Sequence, residues 1–432
     1  MQSANDERPA SIAFTDLVVP EFSPSAREML DGMTAMAADI ELESATLIAR
    51  ARSSTGLDDF GDDPSFFERV ETYLHALREE AQLSLAGRVT SAAQVGQILA
   101  NRLLVTDFVR RHPGVHEERI DAPIVIVGLP RTGTTHLHNL MAADPSLRSL
   151  PYWESLEPVP PMAEQRGEQP DQRQGRCAAG IWFVNEVMPE FKRMHEMTVE
   201  HVHEEIQLLA VDCSTMLFET ATSAPMWRDY YKAHDQQSSY DFMKLLLQVC
   251  QYQRPALGEA SKRWVLKSPQ HLEQIPAVLG TFPDATFVFT HRDPASVVAS
   301  FVTMAAYTAR VSKQPPLDLH RIGAYWCDRI LDLYDGCVRG RDLVAAGQGI
   351  DVHFDAFMRD DIATVHQVYD IAGQPFSAST RAAMDAFMAE HPRGKFGGVE
   401  YDLAQFGLAA SDIRARAHEY ITRFDVTLED RW

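Results

Sequence analysis

Pro123-Ile-Val-Ile-Val-Gly-Leu-Pro-Arg-Thr-Gly-Thr-Thr135 is the stretch that decides the fold. The β-branched run Ile124 to Val127 reads as a strand buried on both faces, and the glycines, proline and threonines after it end the strand and open a helix. A turn between a strand and a helix N-terminus holds an oxyanion, because free N–H groups and the helix dipole converge there. Gly128 and Gly133 keep the GxxxxG spacing of a phosphate loop, but Thr134 stands where the lysine that reaches β- and γ-phosphates belongs. Arg131 supplies a different cation inside the turn. Thr132, Thr134 and Thr135 add hydroxyl donors, a set suited to a 5′-phosphate without a triphosphate tail.

Upstream of this stretch, from about Ser25 to His112, apolar residues recur at three-and-four spacing, so residues 1–118 read as an N-terminal helical region. Downstream, Arg263-Trp-Val-Leu266, Thr286-Phe-Val-Phe-Thr290 and Ile350-Asp-Val-His-Phe354 read as further strands separated by helical patterns. Strands alternating with helices pair in parallel through helical crossovers. Residues 119–432 are therefore expected to form an α/β domain, a three-layer sandwich round a central parallel sheet. The proline-rich segment Glu157 to Pro170 reads as a loop, and residues 181–252 as a long helical insertion.

The chain has 432 residues with 45% hydrophobic and 23% charged content, which excludes disordered and fibrous classes. Its 40 Lys and Arg against 61 Asp and Glu give a net charge of −21, so no nucleic-acid partner is expected. An anionic small ligand would need a locally basic pocket on this acidic background. Five cysteines, never in a CxxC pair, read as reduced thiols and point to the cytoplasm. The N-terminus lacks the basic and apolar regions of a secretory leader, and no apolar run approaches the roughly 18 residues of a membrane span.

A second anion site follows the third strand, in Thr290-His-Arg292-Asp-Pro-Ala-Ser-Val-Val-Ala-Ser300. Arg292 lies at the carboxyl end of a strand, where open α/β sheets bind ligands, and Ser300 lies about two helical turns further on. The tripeptide His291-Arg-Asp293 also begins a kinase catalytic loop, but Val298 occupies the position of its asparagine and no DFG follows.

Gly128 to Thr135 resembles the 5′-phosphosulfate loop of PAPS-dependent sulfotransferases, and Arg292 with Ser300 is similar to their 3′-phosphate motif in spacing. His391-Pro-Arg393-Gly394-Lys395-Phe-Gly397-Gly resembles the basic glycine loop that closes over the same phosphate. The resemblance runs from about Ile124 to Gly398 and is nearer the bacterial and tyrosylprotein-like branch than the cytosolic steroid and phenol branch. It implies 3′-phosphoadenosine 5′-phosphosulfate (PAPS) as donor, sulfuryl transfer to a hydroxyl or, less favoured, an amine, and no metal. The implied basic pocket is Arg131, Lys267, Arg292, Arg393 and Lys395. In that branch a glutamate shortly after the phosphate-loop helix is the base, which implies Glu154, with Glu157 its neighbour. Lys267 would contact the leaving phosphate or sulfuryl oxygens, assisted by Ser268 or His271.

His201-Val-His203-Glu204-Glu205 is a second source of a base, since an imidazole titrates near neutrality. Its spacing is not that of a zinc helix. The insertion carries many aromatic and methionine residues, among them Trp182 and Phe183, which with His203 are candidates to line an apolar acceptor site. The expected partner is a small-molecule or lipid acceptor, and a homodimer stays open. Two rival readings remain: a P-loop phosphotransferase or kinase, and a non-catalytic nucleotide-binding relative.

Overall fold

A computed structural model of the chain describes residues 9–254 and 263–432; the first eight residues, part of the terminus read above for a leader, lie outside them. The strands in chain order are β1 (Ile124–Val127), β2 (Leu147–Arg148), β3 (Leu150–Pro151), β4 (Val202–His203), β5 (Arg263–Lys267), β6 (Thr286–His291) and β7 (Gly349–His353). Five of them form a parallel sheet in the order β2-β5-β1-β6-β7, while β3 and β4 make a short antiparallel pair. All four β1 residues are buried, as an apolar run with strands on both edges and helices on both faces requires.

The helices that position the site are α1 (Pro24–Ala37), α2 (Ser44–Thr55), α3 (Phe66–Glu79), α4 (Leu85–Arg111), α5 (Thr134–Ala142), α6 (Tyr152–Leu156), α7 (Arg173–Val187), α8 (Gln237–Gln253), α9 (Pro294–Ser312) and α10 (Leu319–Gly340). Side chains alternate across the sheet as the strand period of two dictates. Val125, Val127, Leu266, Phe287 and Phe289 pack with α8, α9 and α10 on one face. Ile124, Ile126, Val265 and Val288 pack with Leu137, Leu140 and Met141 of α5 and with Val365 and Val368 on the other. The result is the α/β three-layer sandwich.

Leu104, Val105 and Phe108 of α4 enter the same core as Val125 and Val127, so the helical region leans directly on the sheet layer. A second core joins α2, α3 and α4 to residues of the insertion, with the Tyr73 ring stacked 3.8 Å from Phe218. The insertion is not wholly helical. It contributes β4, whose two residues pair with Pro151 and Leu150, a contact too short to leave a periodic trace in sequence. A helical turn, Met162–Gln165, also interrupts the expected loop. All five cysteines are free and buried, and among the described residues no helix is long and apolar enough to cross a membrane.

Candidate functional site

Strand register brings distant residues to one edge. Ile126 is paired with Lys267 and Val127 with Phe289, so Lys267 at the end of β5, Gly128 just past β1 and Thr290 near the end of β6 gather at the carboxyl edge of the sheet. A side chain at Gly128 would collide with the Thr290 hydroxyl, which fixes glycine there. Gly133 takes φ +89° as the N-cap of α5, a conformation glycine adopts without strain. Arg131 takes φ +74°, a costly conformation for a residue with a Cβ and a mark of a functional turn. The Thr132 hydroxyl lies 2.6 Å from that of Thr290 and donates to the Leu129 carbonyl at 2.7 Å. Thr134 is buried and Thr135 half-buried in the first turn of α5.

Arg131 reaches across to the second anion motif, donating through Nε to Ser300 Oγ at 3.0 Å and through Nη1 to the Met194 carbonyl at 2.5 Å. Arg292 donates through Nη1 to the Arg131 carbonyl at 2.6 Å, and its guanidinium lies 3.9 Å from the centre of the Phe354 ring. The two motifs, 161 residues apart, thus share one corner. Arg393 lies beside α5, bonded to the Met358 carbonyl at 3.1 Å and to His136 at 3.2 Å. Gly394 turns the loop at φ +73°. Gly398 and Glu400 bond the backbone of Ile12, so the N-terminal segment straps this loop. Among the described residues, Arg393 and Lys395 make no hydrogen bond to Arg292 or Ser300.

Among the described residues, four of the five cations arrive already paired with carboxylates, Arg131 being the exception, which sequence did not foretell. Lys267 Nζ donates to Glu204, Arg292 pairs with Glu429 at 2.7 Å, Arg393 with Asp361 at 2.5 Å, and Lys395 with Glu196 at 2.7 Å. Ser268 caps a short helical turn through Gln270 N, and His271 bonds the Tyr240 hydroxyl at 2.9 Å.

Glu154, the base implied by the resemblance, stands apart from Lys267. It lies on α6, 1% exposed, 3.6 Å from Arg254 Nη1 and 3.9 Å from Arg148 Nη2. Burial raises its carboxyl above the ordinary range, opposed by Arg148, Arg254 and Arg173. Arg148 is in register with Trp264, about 10 Å along β5 from Lys267. Among the described residues Glu154 makes no hydrogen bond or ion pair with Lys267 or Arg131; the helical turn aims it at the arginines instead. Neighbouring Glu157 is paired with Arg176 at 2.7 Å.

Around Lys267 stand residues from the insertion. The Glu205 carboxyl group accepts from the Lys267 backbone N–H at 2.7 Å. His195, His201 and His203 form a chain of rings with centroids 5.1 and 5.6 Å apart, and Tyr152 covers His203 at 4.5 Å. Burial, then neighbouring positive charge including that of Lys267, pushes all three imidazoles down, His201 to about 4. Both ring nitrogens of His203 and Nε2 of His201 are buried without a hydrogen-bond partner. A polar substrate group entering here would meet neutral imidazoles, each with one acceptor nitrogen and one N–H donor. His195 escaped the sequence reading, although three histidines within nine residues is a signal.

The other acceptor candidates disperse. Trp182 is 57% exposed on α7, and Phe183 packs against a small cluster with Val187 and Val311. Phe218 and Trp227, also in the aromatic stretch, are fully buried core.

The profile of the sulfotransferase family matches residues 123–378. The omega-hydroxy-beta-dihydromenaquinone-9 sulfotransferase Stf3 of Mycobacterium bovis is 23% identical over 300 residues, 66% of this chain and 71% of that protein. Sulfotransferase STF1 from Mycobacterium tuberculosis superposes with a TM-score of 0.74 at 28% identity, over 86% of this chain and 97% of that one. Sulfotransferase STF9 from Mycobacterium avium does so with a TM-score of 0.78 at 24% identity, over 90% and 98%.

Proposed function

The chain belongs to the sulfotransferase family, and from that premise we propose that it transfers the sulfuryl group of PAPS to a hydroxyl of an apolar small-molecule or lipid acceptor. The observation that carries this reading is the shared corner of Arg131, Ser300 and Arg292, beside Lys267, at the mouth of a phosphate loop without its lysine. Loop N–H groups and Thr132, Gly133, Thr134 and Thr135 hold the 5′-phosphate, as helix N-termini hold oxyanions. Arg292 and Ser300 hold the 3′-phosphate, with Arg393, Gly394 and Lys395 closing over it. An acceptor with an ω-hydroxyl on an apolar chain is in keeping with the relative whose name states one.

In the reaction the acceptor oxygen attacks sulfur in line, the bond from sulfur to the 5′-phosphate oxygen breaks, and its electron pair leaves on the nucleotide bisphosphate. Arg131 and Lys267 stabilise charge on the sulfuryl and bridging oxygens. A carboxylate takes the acceptor proton. Resemblance assigns that role to Glu154, while the contact with Lys267 favours Glu204. The first test is calorimetric titration with 3′-phosphoadenosine 5′-phosphate and with ATP, each with and without magnesium. Metal-independent bisphosphate binding, weakened about tenfold or more by Arg292→Ala, is expected. Magnesium-dependent ATP binding without bisphosphate binding would bring the phosphotransferase reading forward. Turnover with phenols, sterols and ω-hydroxylated lipids then separates an enzyme from a silent nucleotide binder.

A further inference from the structure

We propose that Glu429 is a residue of the donor site: its carboxylate occupies the edge of Arg292 that receives the 3′-phosphate and competes with that phosphate for it. The proposal rests on the reading of Arg292 as the 3′-phosphate ligand. Arg292 presents two edges for paired recognition of an anion. One terminal nitrogen, Nη1, is spent on the Arg131 carbonyl. The edge formed by Nε and Nη2 is filled by Glu429, at 2.7 Å to Oε1 and 3.4 Å to Oε2. This two-pronged carboxylate contact has the geometry of an arginine holding two phosphate oxygens.

The segment that delivers Glu429 is built into the site. The Glu429 N–H donates to Asp293 at 2.9 Å, Arg414 donates to the Glu429 carbonyl at 2.8 Å, and Trp432 Nε1 donates to Ser296 Oγ at 2.8 Å. Asp293 and Ser296 both lie between Arg292 and Ser300, so the segment is fastened along the 3′-phosphate motif itself. A carboxylate and a phosphate cannot share one guanidinium edge without close like-charge repulsion. The donor's phosphate therefore enters by turning Glu429 away, and Glu429 returns as the spent nucleotide leaves. The side chain is 27% exposed, so it has solvent to turn into.

The test is equilibrium and stopped-flow binding of 3′-phosphoadenosine 5′-phosphate and of adenosine 5′-phosphate, which lacks the 3′-phosphate. Wild type, Glu429→Gln, Glu429→Asp and Arg292→Ala are compared, with thermal unfolding of each. Glu429→Gln is expected to lower Kd for the bisphosphate about fivefold, chiefly through slower dissociation, and to leave the monophosphate unchanged. Glu429→Asp, charged but shorter, should fall between it and wild type, and it serves if the Gln variant folds poorly. Unchanged or weaker bisphosphate binding in both Glu429 variants overturns the proposal alone. If Arg292→Ala binds the bisphosphate as tightly as wild type, the donor reading of Arg292 falls, and this inference with it.

Discussion

A carboxylate that takes a proton from an acceptor hydroxyl has to lie within hydrogen-bond reach of the attacking oxygen. Glu204, bonded to Lys267 at the carboxyl edge of the sheet, is the carboxylate we propose for that place, whereas Glu154 is enclosed by Arg148 and Arg254. Glu204→Gln is expected to lower kcat by about a hundredfold with bisphosphate affinity kept, as loss of a general base does. Glu154→Ala should instead leave the buried Arg148 guanidinium and the half-buried Arg254 short of a partner and cost about 3 kcal/mol of stability. Steady-state sulfation kinetics beside thermal unfolding checks both. A collapse of kcat in Glu154→Gln, with Glu204→Gln active, returns the base to Glu154. Residue types were readable at both positions, but nothing local in Tyr152-Trp-Glu154 says that one helical turn aims the glutamate at Arg148 rather than at Lys267.

At the scale of elements, the passage from β1 through the loop to α5 is set by close approach. Gly128 lies against the Thr290 hydroxyl, so Gly128→Ala pushes β1 and β6 apart where they end. We expect a loss of about 2 kcal/mol in stability and at least about tenfold weaker bisphosphate binding, measured by denaturant unfolding and calorimetry. Thermal stability and binding both at wild-type level would show that the loop yields. This element was legible because its cause is local: β-branched residues for the strand, glycines for the turn, hydroxyls for the anion. The β3–β4 pair was not, since Leu150 and His203 meet only through the path of the insertion between them.

Over the whole molecule, acid stability follows from how many histidines the fold keeps neutral. His138, His195 and His203 are held well below the ordinary value by burial, His201 is lowered to about 4 and His271 to about 3. In the unfolded chain each takes a proton near pH 6.5. Below that value the unfolded state binds more protons than the fold, so stability is lost as pH falls from about 6.5 toward the folded values. Glu154, Glu205 and Glu219, raised by burial, act in the opposite sense, since above the ordinary carboxylate range the fold keeps protons that the unfolded chain releases. The five histidines outnumber them, and Tm is expected to drop between about pH 7 and about pH 5, less steeply in His201→Gln. A flat Tm over that interval would mean that these imidazoles protonate without unfolding the chain. The sequence by itself determined the strand, the glycine-bounded turn into a helix and the parallel α/β architecture, because short-range pattern and residue chemistry carry those features, while the grouping of Arg131, Lys267, Arg292, Arg393 and Lys395 came from resemblance to a family. Tertiary structure alone decided that Glu204, Glu429, Asp361 and Glu196 face Lys267, Arg292, Arg393 and Lys395, and gathered three histidines round Lys267. Those partners are tens to hundreds of residues apart along the chain, and a through-space Coulomb contact leaves no mark on local periodicity.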